Sequence, residues 1–494
     1  MRYDVIVVGA GSGGGVVASR LSEDRDVQVL LLEAGPDFPK LEDVPDPVLH
    51  VRLGSGVNEL DWDYLDRAAR SALPRGRLVG GSSGVNSSFA LRGQPLDYDT
   101  WAELGAAGWD WSGVLPYFKR LEKDLDFGDR DYHGSGGPVK VRRHALDGFQ
   151  EAVLAAALEA GHEPVEDHNQ PGAVGAGPLP RNLDEQDRRQ SVLITYLAAA
   201  RGRPNLTIRG DTLVDTLLLQ DGRAAGVRLA SGEELEAGTV VLAAGAYNSP
   251  QILQRSGVGP REVLQPLGVD VAQELPGVGR HLLDHPLTLI ALDTGARPPQ
   301  DFIPIGPTCK LRTRPELPVD DVKFTFAFGE LFAMPGLSGL VLEVSNATSE
   351  GEVRITSRAP AAEPRIEHRF FSDPADLQRA VDGARAAVEV ARILSDSGSR
   401  AELLLPDRQT AADEELLRQH LLDFHATDYH PCGSLKMGAD DDELACVDPR
   451  GRLRGFENLY VADASIMPTV PRCNINLPTM MIGERIAEFV RDSL

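Results

Sequence analysis

A glycine-rich stretch near the N-terminus has residue types and spacing that fit the binding of a dinucleotide. Gly9, Gly11 and Gly14 follow an apolar run in the spacing G-x-G-x-x-G, and Glu33 ends the next apolar run. In such loops the first glycine permits a tight turn, the second lets a pyrophosphate approach the backbone, and the third allows close helix–strand packing. Glu33 can accept hydrogen bonds from ribose hydroxyls and would repel a 2′-phosphate. An FAD or NAD adenosine is therefore predicted, and not NADP.

A second set of reactive side chains lies near the C-terminus. The run Tyr429-His430-Pro431 carries an imidazole, and Asp463 follows a short apolar run. Asn474 and Asn476 stand just before Pro478, a residue that fits the first turn of a helix. The positive end of that helix would face both asparagines. An imidazole exchanges protons near neutral pH, so the histidine of this set is suited to acid–base chemistry.

Strand and helix patterns would position both sets. The runs Asp4 to Val8 and Val27 to Leu32 are typical of buried parallel strands, and Val16 to Leu21 between them is typical of a helix. The strand pattern returns from Thr239 to Gly245 and from Leu459 to Ala462. The sequence therefore predicts a nucleotide domain that is assembled from separated segments.

Residues from about 286 to 425 have a different pattern. Irregular strands such as Val322 to Phe328 and Gly339 to Val344 precede a long amphipathic helix around Leu377 to Leu394. We interpret this part as a second, mixed domain that covers the cofactor. Two domains are also expected for 494 residues, because a single core seldom grows that large.

Composition and charge restrict the partners and the location. The net charge is −24 and no basic run interrupts it, so neither nucleic acid nor an anionic membrane surface is expected as a partner. Cys309, Cys432, Cys446 and Cys473 have no C-x-x-C spacing, so no metal site or disulfide framework is expected. A strand pattern from Tyr3 leaves no room for a signal peptide, and no apolar run is long enough for a transmembrane segment. A cytoplasmic protein is predicted.

Six blocks in a fixed order give the chain a resemblance to the glucose–methanol–choline (GMC) family of FAD oxidoreductases. They are VVGAGSGGGVVASRL with LLEAG, RLVGGSSGVN, AAGAYNSPQILQRSGVGP, LPGVGRHLLDHP, HPCGSLKMG and NLYVADASIMPTVPRCNINLPTMMIGERIA, beginning at Val7, Arg77, Ala243, Leu275, His430 and Asn458. One block alone is weak evidence, whereas six in order over nearly the whole chain are specific. Within the family the chain resembles hydroxymethylfurfural oxidase, and choline oxidases and dehydrogenases look similar but more distant.

The resemblance implies FAD rather than NAD, and oxidation of a primary alcohol to an aldehyde by hydride transfer to flavin N5. It also implies a catalytic pair, with His430 as the base and Asn474 as the partner that holds the alcohol oxygen. Some members attach FAD covalently through a histidine, but the matching residue here is Val85, so non-covalent FAD is expected. Electrons would then pass to O2 or to another redox carrier.

The fold implied by the resemblance is a Rossmann-like α/β FAD-binding domain with an α+β substrate domain around a mostly antiparallel sheet. We place the FAD-binding domain at residues 1–155, 195–285 and 426–494, and the substrate domain at residues 156–194 and 286–425. Tyr429 and His425 are candidates for the substrate pocket. The expected cofactor contacts are Gly9, Gly11, Ser12, Gly13, Gly14, Glu33, Ala34, Arg77, Gly81, Asn86, Val214, Ala244, Gly245, Asp463, Ala464, Asn476, Pro478 and Thr479.

Other interpretations stay open beside these. Asn476 is the rival to Asn474 as the catalytic partner if the blocks are aligned differently, and it can equally cap the last helix. Asp463 can cap a helix rather than bond the flavin. For Tyr429 and His425, packing explains the residue as well as a pocket role does. His281 and His285 are interpreted as structural. Cyanohydrin lyases and fatty-acid photodecarboxylases share the family scaffold, so both remain alternatives to alcohol oxidation.

Overall fold

The computed structural model describes residues 2–51, 58–69, 71–295, 305–328 and 337–494. One large sheet joins segments that are far apart in the sequence. Its strands in spatial order are Val214–Gln220, Arg223–Leu229, Glu234–Leu242, Tyr3–Val8, Val29–Leu32 and Leu206–Arg209, and Leu459–Val461 also pairs with Glu234–Leu242. The first three strands form an antiparallel meander. The other pairings are parallel, which agrees with the continuous apolar runs seen in the sequence.

The carboxyl ends of four parallel strands meet at one edge of this sheet. The chain leaves the strands there at Gly9, Glu33, Ala243 and Ala462. Ligands of open α/β sheets bind outside this edge, because the following loops and helix N-termini converge on it. The glycine-rich loop and the C-terminal Asp463 are thereby brought together from opposite ends of the chain.

The second large sheet is antiparallel in all its described pairings. Its strands in spatial order are Glu402–Leu405, Pro286–Asp293, Ser338–Val344, Val322–Phe328, Thr308–Leu311 and Gly175–Gly177, with His425–Thr427 paired to Pro286–Asp293 as well. The long helix Pro374–Asp396 packs against this sheet and begins at the capping residue Asp373. The two sheets confirm the predicted fold class. The domain division at the stated boundaries stays a prediction.

Helices and small sheets complete the described part. The helices are Gly14–Leu21, Asp46–Leu49, Pro95–Glu103, Trp111–Leu121, Gly148–Glu159, Ala198–Ala200, Gly245–Arg255, Arg261–Leu264, Pro374–Asp396, Arg408–Ala412, Glu414–Asp423 and Asn476–Arg491, with a π-helical turn at Leu193–Leu197. The small sheets pair Tyr64–Asp66 with Ser71–Leu73, Val258–Gly259 with Gln273–Glu274, Glu352–Arg354 with Arg365–Glu367, and Val139–Arg143 with Glu122–Asp124 and Pro180–Arg181. In these ranges we find no helix that combines the length and the apolarity needed to span a bilayer.

Close backbone approach at the glycine-rich loop fixes the packing of the first and last helices. A Cβ atom on Gly13 would lie 1.9 Å from the carbonyl oxygen of Ala462, and one on Gly483 would lie 2.7 Å from the carbonyl oxygen of Gly13. Arg20 and the fully buried Glu484 form an ion pair between the same two helices, with an N–O distance of 2.8 Å. The two helices can therefore approach to van der Waals distance only because the residues at their contact are glycines, which have no side chain.

Gly13→Ala is expected to destabilise the protein, whereas Gly148→Ala is not. The new methyl group at position 13 collides with backbone, which cannot rotate away, so the loss should be about 3 kcal/mol or more. A Cβ on Gly148 meets no atom within 4 Å, which makes it the matched control. Thermal unfolding and the ratio of bound FAD to protein measure the effect. A Gly13→Ala variant as stable as Gly148→Ala would contradict this account of the contact.

Candidate active site

A cavity of about 720 Å³ runs from the edge of the parallel sheet to the antiparallel sheet. One end is lined by the glycine-rich loop around Gly11 and by Glu33. The other end is lined by His430 and Asn474 together with side chains of the strand Val322–Phe328. The two sets of reactive residues singled out in the sequence therefore face one continuous space.

Glu33 is held in place at the nucleotide end of the cavity. Its carboxylate accepts hydrogen bonds from the backbone amides of Ala10 (2.9 Å) and Gly35 (3.0 Å). Burial raises the pKa of Glu33 to about 7. A carboxylate oxygen has more than one lone pair, so both oxygens can still accept hydrogen bonds from ribose hydroxyls.

Ser12 and Asn476 connect the glycine-rich loop to the start of the last helix. The hydroxyl of Ser12 donates to Oδ1 of Asn476 over 2.8 Å, which turns the amide Nδ2 away from the loop. That Nδ2 is buried, lies beside the cavity and has no partner among the described residues. A buried donor of this kind is expected to meet an acceptor on a ligand. Asn476 is also the first residue of the helix Asn476–Arg491 and not its cap.

Both carboxylate oxygens of Asp463 accept hydrogen bonds from other residues of the protein. One oxygen accepts from the amide of Gly245 (2.8 Å) and the hydroxyl of Ser249 (2.6 Å), and the other caps a short helical turn through the amide of Ser465 (2.8 Å). The capping interpretation therefore describes its contacts in the structure. The residue still lines the cavity, so a contact with the cofactor stays a prediction.

The hydrogen-bonding groups along the cavity and the space beside its glycines fit FAD. A Cβ on Gly11 would approach only Gly81, at 3.9 Å, so this position leaves open the space in which a pyrophosphate can lie against the backbone. Val85, which the resemblance matches to the tethering histidine of other members, lines the cavity. The predicted cofactor contacts that line the cavity are Gly9, Gly11, Ser12, Gly13, Glu33, Ala34, Gly81, Asn86, Val214, Ala244, Gly245, Asp463, Ala464, Asn476 and Thr479.

Three predicted cofactor contacts and one pocket residue lie away from the cavity wall. Gly14 serves the loop itself, since a Cβ there would lie 2.0 Å from the carbonyl oxygen of Gly9. Arg77 is exposed, and Pro478 is buried in the first turn of the last helix. His425 bonds the carbonyl of Leu422 through Nδ1 (2.9 Å) and packs on Phe370 and Phe371. Tyr429, by contrast, lines the cavity.

His430 lies between a second histidine and Asn474. Its Nδ1 is 3.0 Å from Nδ1 of His285, and its Nε2 is 3.0 Å from Nδ2 of Asn474. Burial and the neighbouring His285 lower the pKa of His430 well below 6.5. The imidazole is therefore neutral at neutral pH, with one nitrogen free to accept a proton. His285, which was interpreted from the sequence as structural, contacts the candidate base with its ring.

One carboxylate fixes both histidines through their backbones. Oδ1 of Asp284 accepts from the amides of His285 and His430, each at 2.8 Å, and Oδ2 accepts from the hydroxyl of Thr427 at 2.6 Å. Tyr429 turns the chain here in the left-handed conformation, with φ of 66°. This conformation is strained for a bulky residue, so the hydrogen bonds of Asp284 and Thr427 must stabilise the turn.

An ion pair of two buried side chains lies beside Asn474. Lys323 and Glu343 stand directly opposite each other on antiparallel strands, with 2.8 Å between Nζ and Oε2. Nζ of Lys323 also donates to Oδ1 of Asn474 at 3.0 Å. Burial opposes both charges, but each partner stabilises the other, so the pKa of Glu343 is lowered and that of Lys323 is raised.

Asp428 lies beside His430 and Glu343 as a neutral, protonated acid. Burial and the adjacent Glu343 raise the pKa of Asp428 well above its ordinary range. Its Oδ2 lies 3.4 Å from Nδ1 of His430, and Glu343 Oε2 lies 4.0 Å from the same nitrogen. Lys323 and Glu343 cancel in charge, and the protonated Asp428 adds none. These three side chains beside the base therefore carry no net charge together.

Sequence reasoning alone did not find Lys323, Glu343, Asp428 or Asp284. A usable signal was present for the first two, because each is a charged residue inside an otherwise apolar strand pattern. Such a residue is seldom buried unless it is paired. The pairing itself depends on the register between the strands, which no local pattern reveals.

Comparison with known proteins assigns the chain to a family. The N-terminal profile described as GMC oxidoreductase matches residues 3–287, and the C-terminal profile with the same description matches residues 347–483. The chain is 37% identical to oxygen-dependent choline dehydrogenase 1 of Chromohalobacter salexigens, over 99% of this chain and 95% of that protein. The predicted likeness to choline dehydrogenases is thereby confirmed.

Solved structures agree with this assignment. Pyridoxine 4-oxidase from Mesorbium loti superposes with a TM-score of 0.88 at 29% identity, and 99% of each chain is covered. An FAD-dependent oxidoreductase from Chaetomium thermophilum gives a TM-score of 0.90 over 100% of this chain and 99% of that chain. At 24% identity the second match supports the fold alone.

Asp284→Ala is expected to destabilise the protein more than Asp284→Asn. Alanine leaves three buried donors without an acceptor, at about 1–3 kcal/mol each. Asparagine can still accept both amides on Oδ1 and can donate to the hydroxyl of Thr427. Thermal unfolding of the two variants at one pH measures the difference. Equal losses would contradict the role given to this carboxylate.

The stability difference between wild type and Asp284→Asn is expected to depend on pH. Burial raises the pKa of Asp284 to about 6, above its ordinary 3.8. Between these values the folded protein holds a proton that the unfolded chain releases, so wild-type stability falls as the pH rises. Asp284→Asn lacks this ionisation. The stability gap between wild type and Asp284→Asn should therefore narrow from about pH 4 to pH 6.

Proposed function

Because the chain belongs to the GMC oxidoreductase family, we propose that it oxidises a primary alcohol to an aldehyde with His430 as the catalytic base. It is an FAD-dependent oxidoreductase that acts on CH–OH donors. FAD, when bound, supplies the acceptor for a hydride from the alcohol carbon. The contribution of the protein is to hold the alcohol and to remove its hydroxyl proton.

The position and protonation state of His430 carry this proposal. Its ring lies in the wall of the cavity, and its lowered pKa leaves it neutral and able to accept a proton at neutral pH. An alcohol hydroxyl is a very weak acid, so hydride loss from its carbon is slow unless the proton is accepted at the same time. A positioned general base typically accelerates such a step about 10²- to 10⁴-fold.

Asn474 is the proposed partner that orients the alcohol. Its Nδ2 and the Nε2 of His430 are 3.0 Å apart at the cavity wall. An alcohol oxygen that displaces their mutual hydrogen bond can donate its proton to the imidazole and accept a hydrogen bond from the amide. These two bonds leave the carbon-bound hydrogen pointing away from both side chains, which favours a fixed geometry for its transfer.

Glu343 is proposed to stabilise the charge that the base acquires. When His430 takes the proton it becomes an imidazolium with its Nδ1 proton directed toward His285, Asp428 and Glu343. The ionised carboxylate of Glu343 lies 4.0 Å from that nitrogen. A negative group of this kind, already in place before the reaction, favours the charged state more than the neutral one.

Alcohol oxidation is favoured over the two other activities of this scaffold. A cyanohydrin lyase performs no net redox reaction, and a photodecarboxylase requires light. The names of two relatives, choline dehydrogenase and pyridoxine 4-oxidase, support a small alcohol as the substrate and O2 or another redox carrier as the acceptor. Reduction of the bound flavin by an alcohol, in the dark and without air, distinguishes these activities.

His430→Ala is expected to slow anaerobic flavin reduction by at least about 10²-fold while FAD stays bound. In the wild type the rate should be constant near neutral pH and should fall at acidic pH, because only the neutral imidazole accepts a proton. This fall in rate at acidic pH, the acidic limb of the pH profile, should vanish in the variant. Stopped-flow absorbance over a range of pH, with aliphatic, aromatic, furanic and amino alcohols, measures both. A folded, flavin-loaded variant that reacts at the wild-type rate would rule out His430 as the base.

The purified protein should release intact FAD when it is denatured with acid. The reason is that Val85 offers no nucleophile at the position where other members attach the flavin. Absorbance and fluorescence of the supernatant after precipitation measure the release. Flavin that remains with the precipitated polypeptide would show that the attachment is covalent.

A further inference from the structure

The hydrogen bonds that lead from Lys323 to His430 have a fixed direction. The ammonium group of Lys323 can only donate, so Oδ1 of Asn474, at 3.0 Å, must accept. The other atom of that amide, Nδ2, can only donate, and it lies 3.0 Å from Nε2 of His430. Nε2 of the histidine must therefore accept, which is possible only when it carries no proton.

The consequence for His430 is a single tautomer. A neutral imidazole carries one proton, so with Nε2 unprotonated the proton lies on Nδ1. There Nδ1 faces the acceptor Nδ1 of His285 at 3.0 Å and the oxygens of Asp428 and Glu343 at 3.4 and 4.0 Å. The lone pair that can take a proton is thereby left on the nitrogen nearest Asn474.

We propose that Lys323 is a positioning residue that orients the amide of Asn474 and so keeps the reactive Nε2 of His430 free of its proton. Lys323 does not touch the substrate in this scheme; it acts through Asn474. The proposal rests on the proposed function only in naming His430 as the base, since the tautomer itself exists in the resting protein.

The position of Lys323 is set by the antiparallel sheet. Residue 323 is the register partner of Glu343, and the ion pair of 2.8 Å holds the ammonium group beside Asn474. The lysine is 2% exposed, so its side chain has little freedom to move away from Oδ1. Without this donor the amide can rotate by half a turn, which would present an acceptor to Nε2 and draw the proton onto it.

Asn474→Asp and Asn474→Ala, both as FAD-loaded protein, give the sharpest comparison. Aspartate has the shape of asparagine and can keep its bond to Lys323, but its second oxygen can only accept. It should therefore fix the proton on Nε2 of His430 and raise the pH of the acidic limb. Although it is the closer mimic, Asn474→Asp should reduce flavin about tenfold or more slowly than Asn474→Ala. Equal rates, or a faster Asn474→Asp, would overturn the proposal.

Lys323→Met and Lys310→Met test the lysine directly. Lys310 is also fully buried in the same sheet, and its Nζ donates to the carbonyl of His168 at 3.2 Å. Both variants lose a buried ammonium group, so both can lose stability. Only Lys323→Met should move the acidic limb of flavin reduction upward and lower kcat more than it changes KM. A shift of the same size in Lys310→Met would assign the effect to general destabilisation.

The tautomer can be read without turnover from the ¹⁵N chemical shifts of ring-labelled histidines, with the signals of His430 assigned by their loss in His430→Gln. In the wild type, Nδ1 of His430 should carry the proton, whereas in Asn474→Asp it should be on Nε2. A wild-type His430 protonated on Nε2 would refute the proposal. If the tautomers follow this expectation while His430→Ala still reduces its flavin, the proposed function fails and the positioning by Lys323 stands.

Discussion

The position of the whole site depends on the parallel pairing on both sides of the strand Glu234–Leu242. It places Tyr3–Val8 on one side and Leu459–Val461 on the other, so the two ends of the chain leave the sheet at the same edge. Backbone then meets backbone directly, since Gly13 has no room for a side chain against Ala462. The loop that receives the nucleotide and the segment that carries Asn474 are therefore built around one contact.

The antiparallel sheet contributes a different kind of constraint, which is electrostatic. Burying Lys323 and Glu343 removes both from water, and such a pair is tolerated only where partners satisfy each charge. Here Glu343 neutralises the lysine, Oδ1 of Asn474 accepts a hydrogen bond from it, and Asp428 remains protonated beside them. A local arrangement with no net charge allows His430 to rest in its neutral form, which is the form a general base requires.

Sequence reasoning brought residues together where the spacing is local. The loop from Gly9 to Gly14 and the acid at Glu33 lie within one strand–helix–strand unit, so spacing alone indicated their role. The contacts of His285 depend instead on how Pro286–Asp293 pairs with His425–Thr427. His425 was left open between a pocket role and packing because it lies close to His430 in the sequence, and in the structure its ring packs on Phe370 and Phe371. Distances across a sheet depend on register, which sequence proximity does not report.

A low pKa weakens His430 as a base, but this pKa belongs to the resting site before the alcohol binds. The burial that lowers it penalises an imidazolium with no partner. During proton transfer the new charge forms 4.0 Å from the ionised Glu343, whose attraction favours that charge and offsets part of the opposing effects of Lys323 and burial. The carboxylate was present before the reaction, so no reorganisation is needed when the charge appears. The site therefore combines a base that is unprotonated at rest with stabilisation that acts mainly once the proton has moved.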